Sequence, residues 1–295
     1  MNGVININKP LGITSHDVVY RLRKILSVKK IGHTGTLDPD ASGVLPMCVG
    51  RATKTADMLT AKDKQYIAEL TLGSRTDTLD KTGTVLERAE VNASEADIKA
   101  AVNKFIGDIE QIPPMFSAIK INGKKLYELA RKGEEIERKP RCVRIGNIEI
   151  LDINLPEKKV SILVDCSKGT YIRSLCDDIG KELGCFAHMS NLIRTKSGRF
   201  DIKESYTLEQ VEEMFKSGDL SFITSIDKVF EEFESITIPE KLAKKMCNGT
   251  QVRFDGTVEG KTYRVYDKDG NFLTVSKVEN GLLKILKTFY QTMEG

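Results

Sequence analysis

The spacing of apolar residues changes several times along this chain, between the period of a helix and the period of a strand. Residues 14–26 begin with a capping-box pattern, a threonine followed three positions later by an aspartate, and continue with apolar residues three or four apart. Residues 66–72 alternate apolar and polar side chains like a half-buried strand, and residues 159–166 form a second strand candidate. Residues 172–184 return to helical spacing and end at a glycine. The sequence thus interleaves helices and strands, which indicates a fold that contains both.

The last part of the chain, from about residue 236, has a different pattern. Helical spacing almost vanishes there, and Asp-Gly turn signals separate short strand candidates at residues 251–254, 262–267, 272–278 and 282–290. A chain of 295 residues is long enough for a main domain and a small one. We therefore predict a first domain over residues 1–232 and a small β-barrel over residues 233–295.

The composition argues against several classes of protein. The longest runs without a charged residue are Leu183–Ile193 and Ala41–Gly50, both far shorter than the roughly 18 apolar residues that a membrane span needs. Residues 1–10 lack the basic start and apolar block of a secretory signal. The six cysteines form no C-x-x-C pair, which argues against zinc, and a chain of this size needs no disulfides. We expect a cytoplasmic, reduced protein that does not associate with a membrane.

Positive charge is concentrated in two blocks, although the net charge is only +3. Residues 18–37 contain five Lys or Arg and no acid, and residues 112–145 contain nine Lys or Arg against four Glu. Residues 199–236 are acidic, with ten acids against four bases. Charge runs are often solvated helix faces. Two basic blocks beside loops rich in glycine and proline nevertheless favour a polyanionic partner.

The loop GHTGTLDPDASGVLP, residues 32–46, holds an aspartate among glycines and prolines. Pro39 keeps Asp38 extended, because the residue before a proline is disfavoured in the helical region. The three glycines of the loop allow backbone conformations that other residues resist. A carboxylate presented in this way can act as a nucleophile if it stays ionised, and an arginine partner stabilises the ionised form. The alternative is an aspartate that simply ends a turn before proline.

Five strings of the sequence resemble the bacterial tRNA pseudouridine-55 synthases, the TruB family, in the same order and across most of residues 3–200. They are NKPLGITSHDVV, KKIGHTGTLDPDASGVLP, DKQYIAELTLGSRTDTLDKTG, PPMFSAIKINGKKLYELARKG and CSKGTYIRSLCDDIGKELGCFAHMSNLIR. The tail is similar in its strand pattern to the PUA domain that ends proteins of this family. The resemblance implies an α+β fold, with a mixed, mainly antiparallel sheet and helices, followed by a PUA-like RNA-binding barrel.

The resemblance assigns catalytic roles to three residues. Asp38 in HTGTLDP matches the nucleophile of the family, and Arg173 in KGTYIR matches its ion-pair partner. Tyr66 in KQYIAEL matches the aromatic residue that stacks on the flipped uracil and assists proton removal. The resemblance leaves open whether Asp38 attacks the sugar C1′ or the uracil C6. Outside these motifs, Tyr66 would be interpreted as a core aromatic residue and Arg173 as a surface cation of its helix.

Four further residues match substrate-binding positions of the family. His33 matches a residue that fills space in the T-loop stack, and the alternative is a solvent-facing turn residue. Tyr171 and Leu192 match residues that line the uridine pocket. Asp80 in RTDTLD matches a polar contact near the base.

Residues 113–141 resemble the mobile RNA-gripping segment of the family, and we predict that Lys124 and Lys125 within it contact the RNA. The implied activity is isomerisation of the T-loop uridine at tRNA position 55 to pseudouridine, with the target base flipped out of the loop. This reaction involves no redox change and no external group, so we predict no cofactor and no metal. The expected partner is the tRNA T stem-loop, with no protein partner required, and the expected oligomeric state is a monomer.

Three alternatives remain at this point. Residues 80–84, DKTGT, match the phosphorylation signature of P-type ion pumps, which leaves a soluble phosphatase acting through Asp80 as a formal possibility. Asp38 and Asp40 also fit a D-x-D metal site, although a proline between them and no neighbouring histidine argue against one. Finally, the chain could bind or chaperone RNA without catalysis, a hypothesis that loss of the nucleophile would favour.

Overall fold

The structure is a computed structural model that describes residues 1–121 and 123–290. Its described strands are, in chain order, β1 (Gly3–Lys9), β2 (Ile31–His33), β3 (Ala41–Val49), β4 (Lys64–Leu72), β5 (Ser74–Thr76), β6 (Val85–Arg88), β7 (Gly107–Gln111), β8 (Lys120–Ile121), β9 (Lys124–Lys125), β10 (Arg141–Asn154), β11 (Lys159–Cys166), β12 (Ala187–Ser197), β13 (Phe200–Asp201), β14 (Ile223–Thr224), β15 (Glu234–Thr237), β16 (Thr262–Tyr266), β17 (Phe272–Glu279) and β18 (Leu282–Thr288). Its described α-helices are α1 (Ser15–Leu26), α2 (Ala56–Thr60), α3 (Glu95–Asn103), α4 (Leu126–Ala130), α5 (Ile172–Glu182), α6 (Leu208–Lys216), α7 (Ile226–Val229) and α8 (Glu240–Cys247). Short 3-10 helices lie at Gly50–Thr55 and Ile202–Glu204.

The larger sheet has ten strands and confirms the α+β prediction of a mixed, mainly antiparallel sheet. Its order is β14-β1-β3-β12-β4-β11-β10-β7, with β2 paired to β3 and β13 paired to β12. Among its described strand pairs, β12 with β3 is parallel and the others are antiparallel. The parallel pairing places Gly43 beside Arg194. Gly43 has a φ of +103°, and a Cβ there would lie 2.2 Å from the Arg194 carbonyl oxygen, so the position requires glycine.

Helix α1 begins at the capping box that the sequence predicts. The Thr14 hydroxyl accepts a hydrogen bond from the Asp17 amide at 3.0 Å, and the Asp17 carboxylate accepts one from the Thr14 amide at 2.8 Å. A cap of this kind typically contributes about 1 kcal/mol to helix stability. The buried face of α1, including Val18 and Leu22, joins the apolar cluster that β1 and β3 share. The helix is therefore fixed beside the loop that follows β2.

Helix α5 is fixed on the sheet by apolar packing. Strand β11 buries every second side chain, among them Val160 and Val164, and α5 contributes Leu175 and Ile179 to the same cluster. Full burial of one such side chain stabilises a fold by roughly 1.5–3 kcal/mol. The first turn of α5 carries Arg173, which is consequently held in a defined place relative to the sheet.

Between β7 and β10 the chain leaves the large sheet. Gln111, the last residue of β7, pairs with Arg141, the first residue of β10. The described part of this excursion contains the β8–β9 hairpin and helix α4. Leu126 and Leu129 of α4 are buried. Residues 112–140 are thus an insertion between two neighbouring strands.

The tail forms a second, four-stranded sheet in the order β15-β16-β17-β18, with β15 parallel to β16. Helix α8 packs on it through Ala243 and Met246. The expectation that helical spacing almost vanishes here is wrong for α8. Its apolar residues have helical spacing, but the helix is only eight residues long, so the pattern is easily missed. The strand expected at residues 251–254 is reduced to a single bridge between Val252 and Leu283.

The second sheet contacts residues 44–57 of the chain. The Arg51 guanidinium donates to the carbonyl oxygen of Phe289 at 3.0 Å, and Lys287 forms an ion pair with Asp57 at 2.7 Å. Phe289 is also buried in an apolar cluster with Val44 of β3. Apolar and polar contacts therefore join the tail to β3 and to the short helices that follow it.

None of the helices in residues 1–121 and 123–290 is long and apolar enough to cross a membrane.

Candidate active site

The loop that carries Asp38 connects β2 to β3 and is hydrogen-bonded to the first residue of α1. The hydroxyl of Ser15 accepts from the Leu37 amide at 2.8 Å and donates to the Leu37 carbonyl at 3.0 Å. Leu37 is buried, whereas the side chain of Asp38 is 40% exposed. Gly35 in this loop has a φ of +146°, which favours glycine. The nucleophile candidate is therefore displayed to solvent on a backbone that is fixed one residue before it.

Lys9 lies fully buried beneath the same loop. Its ammonium group donates to the carbonyl oxygens of Ile13 at 2.7 Å, Pro10 at 2.9 Å and Pro39 at 3.4 Å. Burial lowers the pKa of Lys9 to about 8, although the negative charge of Asp38 opposes this shift. Sequence reasoning missed Lys9, since its partners are main-chain atoms that no spacing rule reveals.

The structure brings Arg173 and Asp38 together. Arg173 is 6% exposed, and its Nε lies 3.1 Å from an Asp38 carboxylate oxygen. Its Nη1 donates to the Thr78 carbonyl at 3.2 Å and lies 3.7 Å from an Asp80 carboxylate oxygen. Its Nη2 donates to the Phe116 carbonyl at 2.8 Å. Each guanidinium nitrogen thus has a partner from a different part of the chain, which fixes the group that faces Asp38.

Asp80 lies on the hairpin formed by β5 and β6. One carboxylate oxygen accepts from the hydroxyls of Thr82 and Thr78 at 2.6 and 2.7 Å and from the Thr82 amide at 3.0 Å. Its side chain is 13% exposed, and its other oxygen faces Arg173. Among the described residues, no cluster of His, Cys, Asp or Glu has the geometry of a metal site. The DKTGT string therefore has a structural explanation as a turn, and the phosphatase alternative gains no support.

The same hairpin is tied to α5 by a second arginine. Arg75 Nε lies 2.8 Å from the carboxylate of Asp177, whose side chain is only 3% exposed. Lys181 approaches the other Asp177 oxygen at 2.6 Å. Because Asp177 lies one helical turn after Arg173, this ion pair helps to hold Asp80 and Arg173 in register.

Tyr66 lies in β4 directly opposite Arg194 of β12. Directly opposed residues of an antiparallel pair place their side chains on the same face. Arg194 is 2% exposed, and its guanidinium donates to the carbonyl oxygens of Val44 at 2.6 Å and Gly35 at 3.2 Å. Burial raises the pKa of Tyr66, and the positive charge of Arg194 opposes that shift. Arg194 was not predicted as a site residue, yet it connects Tyr66 with both sides of the Asp38 loop.

The other candidates for substrate binding lie near Asp38 or Arg173 in sequence or across the sheet. His33 ends β2, and its Nδ1 accepts from the Gly35 amide at 3.4 Å. Burial, followed by the charge of Arg194, lowers the pKa of His33, so the ring is held neutral. Leu192 is 7% exposed and pairs with Ala41, three residues after Asp38. Tyr171 caps the N-terminus of α5, two residues before Arg173. These three candidates therefore flank the Asp38–Arg173 pair in sequence or across the sheet.

Lys124 and Lys125 lie apart from that pair, in the insertion between β7 and β10. Both belong to β9, and the Lys125 ammonium donates to the hydroxyl of Tyr127 at 3.1 Å. Within residues 1–121 and 123–290, neither lysine forms an ion pair or a hydrogen bond with Asp38, Arg173 or Tyr66. Their predicted role is contact with RNA, and the structure leaves it as a prediction.

Solved structures share this fold. A Cbf5-Nop10-Gar1 complex matches with a TM-score of 0.74 and 28% identity, over 98% of this chain and 85% of that chain. An H/ACA ribonucleoprotein bound to a substrate RNA containing 2′-deoxyuridine matches with a TM-score of 0.73 and 26% identity, over 98% of this chain and 85% of that chain. Both matches cover nearly the whole of this chain, so its mixed α+β fold is shared with proteins of these two complexes.

Sequence comparison then identifies the family. The model for the N-terminal domain of TruB family pseudouridylate synthases matches residues 23–172, and the model for the tRNA pseudouridylate synthase B C-terminal domain matches residues 173–236. The tRNA pseudouridine synthase B of Clostridium kluyveri is 46% identical over 293 residues, which cover 98% of this chain and all of that protein. The one from Clostridioides difficile is 47% identical over 97% of this chain and 95% of that protein. The chain belongs to the TruB family of pseudouridylate synthases, which confirms the resemblance seen in the sequence and makes the protein an enzyme.

Proposed function

We propose that this protein converts the T-loop uridine at tRNA position 55 to pseudouridine, without a cofactor and with Asp38 as the nucleophile. The observation that carries the proposal is the ion pair between Arg173 and Asp38 at 3.1 Å, in which a buried guanidinium faces a displayed carboxylate. The tRNA substrate is suggested by the name that the curated relatives share, tRNA pseudouridine synthase B.

The reaction needs the target base to leave the folded RNA loop. Extruding a base costs a few kcal/mol, which stacking and pocket contacts offset. Tyr66 would supply the stacking face, and stacking of a base on an aromatic ring is typically worth about 1–3 kcal/mol. His33 would fill the space that the base leaves in the T-loop, while Tyr171, Leu192 and Asp80 would surround the uracil.

The covalent chemistry balances within the substrate. The C1′–N1 glycosidic bond breaks, the base turns, a C1′–C5 bond forms, C5 loses a proton and N1 gains one. Asp38 bonds to the substrate in between, at C1′ of the sugar or at C6 of the uracil, and is released at the end. Arg173 keeps Asp38 ionised and aimed before the attack. Tyr66, which shares a face of the sheet with Arg194, would assist removal of the C5 proton.

The other parts of the chain would hold the RNA. We assign residues 113–141, with Lys124 and Lys125, to gripping the T stem-loop, because basic side chains bind phosphates. We keep residues 1–232 as the catalytic domain and residues 233–295 as a PUA-like RNA-binding domain, for which the separate second sheet is the support. We also propose that the protein acts as a monomer without a protein partner.

Incubation of the purified protein with an unmodified tRNA transcript tests the proposal, with pseudouridine mapped at each position. We expect pseudouridine at the T-loop uridine and none in a transcript that carries cytidine there. A protein that binds the transcript tightly but forms no pseudouridine would instead support the hypothesis of a non-catalytic RNA binder.

A further inference from the structure

Gln111, the last residue of β7, is a buried polar residue with only 1% of its surface exposed. Its side-chain amide nitrogen donates to the carbonyl oxygen of Tyr171 at 3.0 Å. Its amide oxygen accepts from the Tyr171 N–H at 2.7 Å. One side chain thus satisfies both backbone polar groups of the residue that caps α5. Tyr171 itself makes no side-chain hydrogen bond to the start of the helix, and Gln111 instead fixes the backbone of this N-cap residue.

The residues after Gln111 continue this connection to α5. The hydroxyl of Ser174 donates to the Ile112 carbonyl at 3.0 Å. The Phe116 carbonyl accepts from Nη2 of Arg173 at 2.8 Å. Four hydrogen bonds therefore join the beginning of the insertion to the first turn of α5. Since Arg173 also pairs with Asp38, the position of this junction determines how the guanidinium meets the carboxylate.

We propose that Gln111 is a positioning residue for the isomerisation, which fixes the first turn of α5, and with it Tyr171 and Arg173, relative to Asp38. The inference rests on the proposed function and adds to it a residue that does not contact the reacting atoms. It also means that the first residues of the segment assigned to gripping RNA are hydrogen-bonded to the helical turn that carries Arg173, the partner of Asp38.

The amide group of Gln111 is required because Tyr171 presents one donor and one acceptor. A glutamine side chain offers an acceptor and two donors, whereas a methionine of similar length offers neither strongly. An ionised glutamate keeps the acceptor but turns a second oxygen toward the Tyr171 carbonyl. A protonated glutamate donates again. Burial and the facing carbonyl both favour that protonated form, so the missing donor should return as the pH falls.

Two variants and a control test the proposal, each measured with an unmodified tRNA transcript. The variants are Gln111→Met and Gln111→Glu. The control is Gln210→Glu, because Gln210 is exposed at the third position of α6 in a capping box, where glutamate serves equally well. The readouts are the single-turnover rate at saturating enzyme and the dissociation constant for the transcript.

We expect Gln111→Met to lower the single-turnover rate by at least about tenfold, since a displacement of about 1 Å at a catalytic group can cost about 100-fold. Affinity should stay within about threefold of wild type, because positioning acts on the transition state. For Gln111→Glu, the rate relative to wild type should be at least about fivefold higher near pH 6 than near pH 8. The control should match wild type at both values.

A Gln111→Met rate within about twofold of wild type would overturn the proposal, as would a loss confined to affinity. A Gln111→Glu rate that keeps the same ratio to wild type at both pH values would overturn it too. Failure of the wild-type protein to form pseudouridine would contradict the proposed function itself, so the two failures are told apart by the wild-type reaction.

Discussion

Replacement of Arg173 by lysine keeps a positive charge beside Asp38 but removes the planar guanidinium. In the wild-type protein the three guanidinium nitrogens lie 3.1 Å from Asp38, 3.2 Å from the Thr78 carbonyl and 2.8 Å from the Phe116 carbonyl. These partners come from three separate segments. A single ammonium group cannot occupy all three nitrogen positions. If it stays with Asp38, the two carbonyl oxygens, which belong to half-buried residues, are left without their charged donor.

The size of the effect follows from those two unpaired carbonyl oxygens. A buried polar group left without a partner costs roughly 1–3 kcal/mol. If each carbonyl oxygen costs about 1–2 kcal/mol, in the lower part of that range, the two together cost roughly 2–4 kcal/mol. The ammonium group can satisfy those carbonyl oxygens only by leaving Asp38, so the conformer aimed at Asp38 is disfavoured by this free energy. At 1.36 kcal/mol for each tenfold in rate, we expect Arg173→Lys to slow the isomerisation about 30- to 1,000-fold. Arg173→Ala, which also leaves Asp38 without its cation, should be slower still.

The assay is release of tritium from a tRNA transcript labelled at C5 of uridine, because C5 loses its hydrogen in the reaction. It is run at saturating enzyme, so that the rate does not depend on affinity. Arg264→Lys serves as the matched control, since Arg264 donates to the Phe233 carbonyl at 2.9 Å but lies in the tail. It should alter stability without altering the rate. A rate for Arg173→Lys within about threefold of wild type would refute the reasoning.

Three other perturbations test neighbouring parts of the account. The pKa of Lys9 is lowered from 10.5 to about 8. Between these pH values the unfolded chain binds more protons at Lys9 than the folded chain does. The contribution of Lys9 to the free energy of unfolding should therefore rise with pH between pH 8 and 10.5. Denaturant unfolding of wild type and Lys9→Met checks this, and a difference that does not change between pH 8 and 10.5 would contradict it. Arg194→Lys should lower the free energy of unfolding by about 1–3 kcal/mol, because a lysine cannot donate to the Val44 and Gly35 carbonyls as the guanidinium does, and unchanged denaturation curves would rule this out. Replacing Lys124 and Lys125 together by alanine should weaken tRNA binding and flatten its salt dependence by about 0.7 to 0.9 log unit for each phosphate that is no longer neutralised, whereas an identical salt slope would place the RNA elsewhere.

Much of the architecture could be predicted because it depends on local periodicity. The capping box of α1, the alternation in β11 and the helical spacing of α5 all occur where the sequence indicates them. The arrangement of strands into one mixed sheet was implied by family resemblance, since register and order depend on contacts between distant segments. Helix α8 was missed because its buried residues, Ala243 and Met246, are too few to establish a period.

The candidate site was predictable where a residue belongs to a motif and unpredictable where it acts on the main chain. Asp38 and Arg173 stand in recognisable strings, and the structure places them 3.1 Å apart. Lys9, Arg194 and Gln111 bond mainly to backbone groups. The partners of Gln111 and Arg194 lie 60 to 159 positions away, so no spacing in the sequence reveals them. Such residues become visible once the chain is folded.

The most direct test of the central claim compares wild type with Asp38→Asn, which replaces one carboxylate oxygen by an amide nitrogen at nearly constant volume. Both proteins are incubated in excess over an unmodified tRNA transcript, and pseudouridine at the T-loop uridine is measured with time. We predict complete conversion by wild type and no conversion by Asp38→Asn, with tRNA affinity within about tenfold, because a group that acts in the transition state need not add to ground-state binding. Conversion by Asp38→Asn at the wild-type rate would show that Asp38 is not the nucleophile.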